Sequence, residues 1–194
     1  MSSNPTILAF AGSTRQDSYN KKLVQIAVQG ASNAGADVTY LDLRDLPLPL
    51  FDEDLEAREG LPTNVKKLKE LMIAHQGFLI ASPEYNSSVS AVLKNAIDWA
   101  SRPQPGEAPL ACFKGKVAVV MSASPGALGG LRGLVHIRSI LGNLSMIVLP
   151  EQRAIGNAHA AFTPEGNNLQ DAAQQIAVEQ LGARLTEVVG KLCS

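Results

Sequence analysis

The chain is poor in aromatic residues (5%), has only 3 histidines and 2 cysteines, and shows no excess of charge of either sign. Each shortage excludes something. With 17 Lys and Arg against 18 Asp and Glu the formal net charge is −1. No broad field then draws nucleic acid or an anionic membrane, and neither is expected as a partner. No uninterrupted apolar run reaches the roughly 18 residues of a membrane-spanning helix. The opening MSSNPTILAF lacks a basic stretch followed by a long apolar one, so it does not read as a secretory signal. Cys112 and Cys193 lie far apart and read as free thiols of a reducing compartment, which makes the cytoplasm the expected location. His75, His136 and His159 show no metal-ligand spacing with one another or with cysteine, so no metal site is expected. Also missing are a G-x-S-x-G elbow, a G-x-G-x-x-G fingerprint after the first strand and a G-x-x-x-x-G-K-[ST] loop. A serine hydrolase, a dinucleotide fold and a nucleoside triphosphatase lose their support with them.

What is present is an alternation. Short β-rich runs occur at Thr6–Ala11, Val38–Leu43, Phe78–Ser82, Lys116–Ser122 and Met146–Leu149. Longer stretches between them have helical spacing. The clearest carries Val89, Val92, Leu93, Ala96, Ile97 and Ala100 on one face; another runs from Thr63 to His75, and a third from Leu169 to Leu192. Strand and helix in turn, about five times, predict a single α/β domain over residues 1–194, with a parallel sheet covered by helices on both faces. The first, third and fourth strands are nearly all apolar, as strands buried on both sides must be. Two regions, Arg44–Pro62 and Arg102–Gly115, exceed the usual connection length and read as binding or interface segments. A looser stretch, Pro150–Asn168, precedes the last helix.

Ligands of open parallel sheets bind beyond the carboxyl ends of the strands, where the strand order reverses. The segments there differ sharply in character. GSTRQDSYN (Gly12–Asn20) follows the first strand, PEYNSS (Pro83–Ser88) the third and ASPGALGG (Ala123–Gly130) the fourth. The second is followed only by RDLPLPLFDEDLE. In the order 2-1-3-4-5 the three polar loops are neighbours. The first of them places Ser13, Thr14, Arg15 and Ser18 at the start of a helix, whose unpaired N–H groups attract a phosphate. The arginine fork suits phosphate oxygens. Read alone, the segment is also a capped turn, with Ser18 or Asp17 as cap. The crowding of donors behind a buried strand favours a single phosphomonoester, and FMN is the cofactor with that handle. In the second loop Pro83 ends the strand, Tyr85 offers an aromatic face, and Asn86 offers bonds to a heterocycle edge; a plain turn is the alternative. In the third, Gly126, Gly129 and Gly130 let backbone come close to a ligand, or serve only as a flexible connection.

Other constellations carry less. Asp52, Glu53, Asp54 and Glu56 read as a solvated acidic face rather than a metal or carboxylate pair. Cys112 has Lys114 and Lys116 close in sequence, which would lower its pKa, but with no resolving partner it reads as an ordinary thiol. His75 closes a helix, where the dipole explains it.

The stretches GSTRQDSYN, SPEYNSSVSAVLKNAIDWASR and SPGALGGLRG together resemble the NADPH-dependent FMN reductase family, which has a flavodoxin-like fold and includes quinone, chromate and azo-dye reductases. The second stretch is the most specific, and the resemblance runs from the first strand to about Gly142. It implies a flavodoxin-like, five-stranded parallel sheet in the order 2-1-3-4-5. It implies that Ser13, Arg15, Ser18, Tyr19 and Asn20 hold the FMN phosphate and ribityl chain. Pro83, Glu84, Tyr85 and Asn86, with Ser87 in the same loop, would line the ring, and Ser124 with Gly126, Gly129 and Gly130 would close the other side. No single side chain stands out as catalytic; Tyr85 and Asn86 are the ring-lining residues. The implied activity is an FMN-dependent NAD(P)H oxidoreductase, passing hydride from NADPH or NADH to a small acceptor such as a quinone, a flavin, an azo dye or a metal oxyanion. A homodimer or homotetramer is implied, with the helix of Asn95, Asp98 and Trp99 at the subunit boundary; a simply buried tryptophan is the alternative. The competing class is an FMN-binding electron carrier or sensor module without NAD(P)H turnover. The near-neutral charge and Arg15 argue against a flavodoxin-type carrier.

Overall fold

After Thr6, TILAFA carries apolar side chains at every position, so its two faces each need a covering layer. In the computed structural model, which describes residues 4–192, it forms β1 (Thr6–Ala11) within a five-stranded sheet. Its partners are β2 (Asp37–Leu41) on one side and β3 (Gly77–Ala81) on the other, both parallel. Beyond β3 come β6 (Val117–Ala123) and β7 (Ile147–Ile155), also parallel. A short antiparallel hairpin of β4 (Glu84–Tyr85) and β5 (Ser88–Val89) stands apart. Counting only the main sheet, the order β2-β1-β3-β6-β7 is the expected 2-1-3-4-5.

Parallel neighbours need crossovers, and helices supply them. These are α1 (Tyr19–Asn33), α2 (Glu53–Glu59), α3 (Thr63–Ala74), α4 (Ala91–Ala100), α5 (Leu131–Asn143), α6 (Ala158–Ala161) and α7 (Ala172–Leu192). Two interiors result. Ile7, Ala9 and Ala11 face Leu23, Val24 and Ala27 of α1 and Leu181 and Leu185 of α7. Leu8 and Phe10 face the other way, onto Leu68 and Met72 of α3, Leu93 and Ile97 of α4, and Leu134 and Ile137 of α5. Each fully buried side chain of this size stabilises the fold by about 1.5–3 kcal/mol. The strand ends are therefore held from both sides of the sheet.

The long connections turn out to be fastened to the core. Arg44–Pro62 contains a 3-10 turn (Leu43–Asp45 at its start) and α2, which Asp52 caps by accepting from Asp54 and Leu55 N–H. Asn95 Nδ2 and Trp99 Nε1 both donate to the Pro49 carbonyl, at 2.9 and 2.8 Å, and Phe51 N–H donates to Asn95 Oδ1 at 2.8 Å. Trp99 is fully buried with Leu61 and Val65, and meets the Phe51 ring edge-on. It is thus a core residue of its own chain, the alternative drawn from the sequence, and Asn95 is spent beside it. In the second long connection, buried Lys69 ion-pairs with Glu107 at 2.7 Å and donates to the Arg102 carbonyl. Beside it Cys112 is buried, and burial pushes its thiol up to about 11 against the pull of Lys69 and Lys116. The neighbouring lysines do not activate it. Cys193 lies outside the described residues.

The last strand is longer than its apolar run. β7 continues through Pro150, Glu151, Gln152 and Arg153 to Ile155, and its register against β6 shifts between Ala118 and Val120. A bulge of this kind accommodates proline on an edge strand.

One contact governs how the first interior closes. A Cβ on Gly30 of α1 would lie 1.9 Å from the Glu179 carbonyl oxygen, and one on Gly182 of α7 would lie 1.9 Å from the Ala27 oxygen. The helix backbones touch at these two glycines. Replacing Gly30 with Ala should therefore force α1 and α7 apart and cost about 3 kcal/mol. In urea unfolding the midpoint should fall with the slope unchanged; an unshifted midpoint would show that the helices are not in backbone contact.

Candidate functional site

β1, β3 and β6 end side by side, so the loops that follow them meet at one rim. A cleft of about 80 Å³ lies between them. Ser13, Arg15, Ser18, Tyr19 and Asn20 line it from the first loop and the start of α1; Pro83, Glu84 and Tyr85 from the hairpin; Ala123, Ser124 and Pro125 from the end of β6. Nine residues singled out in the sequence are thereby brought together. Asn86 and Ser87 sit instead at the hairpin tip, and Gly126, Gly129 and Gly130 shape the turn beyond Ser124. A larger groove of about 660 Å³ runs along the outer side of α1, but it is open and polar, and its Lys21 is already paired with Asp42 at 2.6 Å. Size does not locate the site; unmet hydrogen-bonding capacity does.

That capacity is concentrated at the start of α1. Ser18 occupies the cap position, buried and extended, yet its side chain makes no capping bond, and the first turn carries no acidic residue. The first residues of the helix line the cleft, and no side chain caps their N–H groups or offsets their partial positive charge. Arg15 has no carboxylate partner among the described residues; its guanidinium lies 5.8 Å from the Tyr19 ring centre. Tyr19 is itself stacked on Phe162 at 5.7 Å, which fixes that platform. Ser13 is buried, and its Oγ accepts from Arg15 N–H at 3.2 Å, which folds the loop back on itself. An uncapped helix end, hydroxyls and a free guanidinium form a donor set that fits a phosphate monoester. The small volume matches a phosphate and its linker; a flat ring would extend beyond it onto the open surface at Tyr85, which is 59% exposed.

The other two loops are tight turns. Tyr85 and Ser88 pair across the hairpin, and Asn86 and Ser87 between them both take positive φ, at 50° and 65°. That is the two-residue hairpin turn whose twist suits the strands; asparagine takes such a φ readily and serine less so. In the third loop Gly129 and Gly130 have φ of 63° and 91°, and a Cβ on Gly130 would lie 2.0 Å from the buried Ser122 oxygen. Here glycine is required by space as well as by backbone angle.

Three side chains that touch these loops are engaged within the protein. Asn20 Nδ2 donates to the Ala123 carbonyl at 2.8 Å and its Oδ1 accepts from Ala123 N–H at 3.0 Å. Ser90 Oγ donates to the Gly12 carbonyl at 2.6 Å and accepts from Leu93 N–H at 3.2 Å, capping α4. Glu84 accepts from Gly133 N–H at 3.1 Å and from Arg132 Nε at 2.9 Å. Ser90 was not among the candidates drawn from sequence, although a serine directly before a helical apolar run signals a cap.

The NADPH-dependent FMN reductase family matches residues 5–160, a span that contains all three loops. The chain belongs to that family. It is similar to an NAD(P)H-dependent FMN reductase of Pseudomonas aeruginosa, 38% identical over 184 residues that cover 94% of this chain and 95% of the relative. A quinone reductase of Escherichia coli is 36% identical over 157 residues, covering 80% of this chain and 79% of that one. Among solved structures it is similar to FerB, a flavoenzyme NAD(P)H:(acceptor) oxidoreductase of Paracoccus denitrificans, with a TM-score of 0.80 at 28% identity, covering 96% of this chain and 98% of that one.

Glu84 makes the site sensitive to acid. Partial burial pushes its carboxyl up, but the Gly133 N–H and the Arg132 guanidinium outweigh this and hold it below the ordinary carboxylate range. A lowered folded value means that the stabilisation is present above the unfolded value, about 4.3, and is lost as pH falls through the folded one. Glu84→Gln should therefore lower the urea midpoint near neutrality and flatten its decline on acidification; a decline as steep as in the parent protein would remove Glu84 as its source.

Proposed function

We propose that the cleft grips the phosphate of FMN at the start of α1 and that the isoalloxazine ring lies across the hairpin and the Ser124–Gly130 turn. The observation that carries this reading is the uncapped end of α1 beside an Arg15 with no carboxylate partner among the described residues, at the rim where three loops of a 2-1-3-4-5 sheet converge. As a member of the NADPH-dependent FMN reductase family the chain is an oxidoreductase that works with FMN and NAD(P)H. Bound FMN supplies two-electron redox chemistry between NAD(P)H and an acceptor.

The protein's own part is positional. Arg15 offers charged donors to phosphate oxygens, and the Ser13 and Ser18 hydroxyls add neutral ones. The backbone N–H groups of Tyr85–Ser87 and of the Ser124–Gly130 turn are the donors available to a ring edge that gains negative charge. Tyr85 leaves one side of the ring area open, as two reactants that enter in turn require. No protein nucleophile is needed. We take a small-molecule acceptor such as a quinone as the second substrate, on the strength of the quinone reductase relatives. A homodimer or homotetramer belongs to the same reading: Leu131 and Val135 are exposed one helical turn apart on α5, next to the hairpin. No described helix is long and apolar enough to cross a membrane, and we assign the activity to the cytoplasm.

Two measurements test this. Protein loaded with FMN and mixed with NADPH without air should bleach, and its colour should return when a quinone is added. Bound FMN indifferent to both NADPH and NADH would instead indicate an electron carrier. Arg15→Ala should weaken FMN binding about tenfold or more, the loss expected for a charge-assisted hydrogen bond, with the melting temperature of the flavin-free protein unchanged. Riboflavin, which has no phosphate, should bind Arg15→Ala and the parent alike. Equal FMN affinity in both proteins would show the phosphate to lie elsewhere.

A further inference from the structure

Resting on the flavin reading above, we propose that Asn20, Glu84 and Ser90 are positioning residues that tie the three loops to one another in pairs, so that the cradle is set before a flavin arrives. The geometry is a closed triangle. The first loop is tied to the hairpin segment by Ser90 Oγ on the Gly12 carbonyl, at 2.6 Å across 78 residues of sequence. The hairpin is tied to the helix after the glycine turn by Glu84 on Gly133 N–H, at 3.1 Å across 49 residues. The end of β6 is tied back to the start of α1 by the paired bonds of Asn20 on Ala123, at 2.8 and 3.0 Å across 103 residues. Asn20 and Ser90 are both 4% exposed, and each bonds to backbone of a distant loop, Ser90 while also capping its own helix.

Asn20 is the informative member. Ala123 is the last residue of β6; it still pairs with Ile155 of β7, but the ladder to β3 has ended at Met121. The Asn20 carboxamide supplies one acceptor and one donor to it, as a further strand residue would. With both heteroatoms engaged there, its task is to hold the Ser124 turn against the phosphate loop. This assigns Asn20 a different role from direct phosphate contact. Loops ordered in advance lose little freedom when a ligand binds, which raises affinity without any new contact to the ligand.

The test compares FMN with riboflavin. Asn20→Ala should weaken both by the same factor, about tenfold, the worth of one ordinary hydrogen bond, whereas Arg15→Ala weakens FMN alone. Asn20→Asp should bind riboflavin poorly at high pH and recover as pH falls, because the protonated acid repeats both bonds to Ala123. Hydrogen exchange on flavin-free protein supplies a second readout. Asn20→Ala should speed exchange at residues 123–130, and Ser90→Ala at residues 12–18, with the amides of β1 unchanged. Loss of FMN but not riboflavin affinity in Asn20→Ala would make Asn20 a phosphate ligand and overturn the proposal. So would faster exchange spread evenly over the sheet, which would mark a general loss of stability. If the parent protein bound neither flavin, the reading above would fail, while the exchange data would still decide whether the ties exist.

Discussion

A parallel sheet stops abruptly at its carboxyl edge, and the backbone groups there must find partners that the next strand no longer provides. Much of the structure around the cleft answers that constraint. Ala123 finds Asn20, Gly12 finds Ser90, and the first N–H groups of α5 find Glu84. The start of α1 is the exception: its cap residue makes no capping bond, and Arg15 beside it has no carboxylate partner among the described residues. One helix end at the rim thus has no side-chain cap while another is satisfied from within. We place the phosphate at α1 on this contrast between α1 and α5 rather than on the size of any groove.

The frame behind the rim explains how these bonds stay in place. Both faces of β1, β3 and β6 are buried, and the helices covering them close at the Gly30–Gly182 contact on one side and around α3, α4 and α5 on the other. The long connection after β2 adds a brace. Asn95, Trp99 and Arg102 hold Pro49, Phe51 and Glu56, which joins α4 to a segment that would otherwise hang free. Because α4 begins at Ser90, the brace and the rim share one helix.

Most of the fold was legible in sequence, because a strand buried on two faces and a helix with one apolar face leave different periods. The strand order came from the family resemblance, and in that order the three strands followed by polar loops are neighbours. What escaped has physical causes. β7 was cut short at Leu149 because Pro150, Glu151, Gln152 and Arg153 read as a loop, whereas an edge strand tolerates both a bulge and polar side chains. α2 was hidden in an acid-rich stretch with no buried residue and thus no apolar face. Within the site, residue types were readable but partners were not. Asn20 and Glu84 carry the polarity of ligand-binding groups, and only three-dimensional placement shows those groups spent on Ala123, Gly133 and Arg132.

The central claim is that the uncapped start of α1 is kept for the phosphate of a flavin whose ring lies over the other two loops. A crystal structure of the protein grown with excess FMN tests it most directly. The account predicts the phosphate among Ser13, Arg15, Ser18 and the first N–H groups of α1, with the ring against Tyr85 and the Gly126–Gly130 turn. A phosphate docked anywhere else, or a rim left empty under saturating FMN, would contradict it.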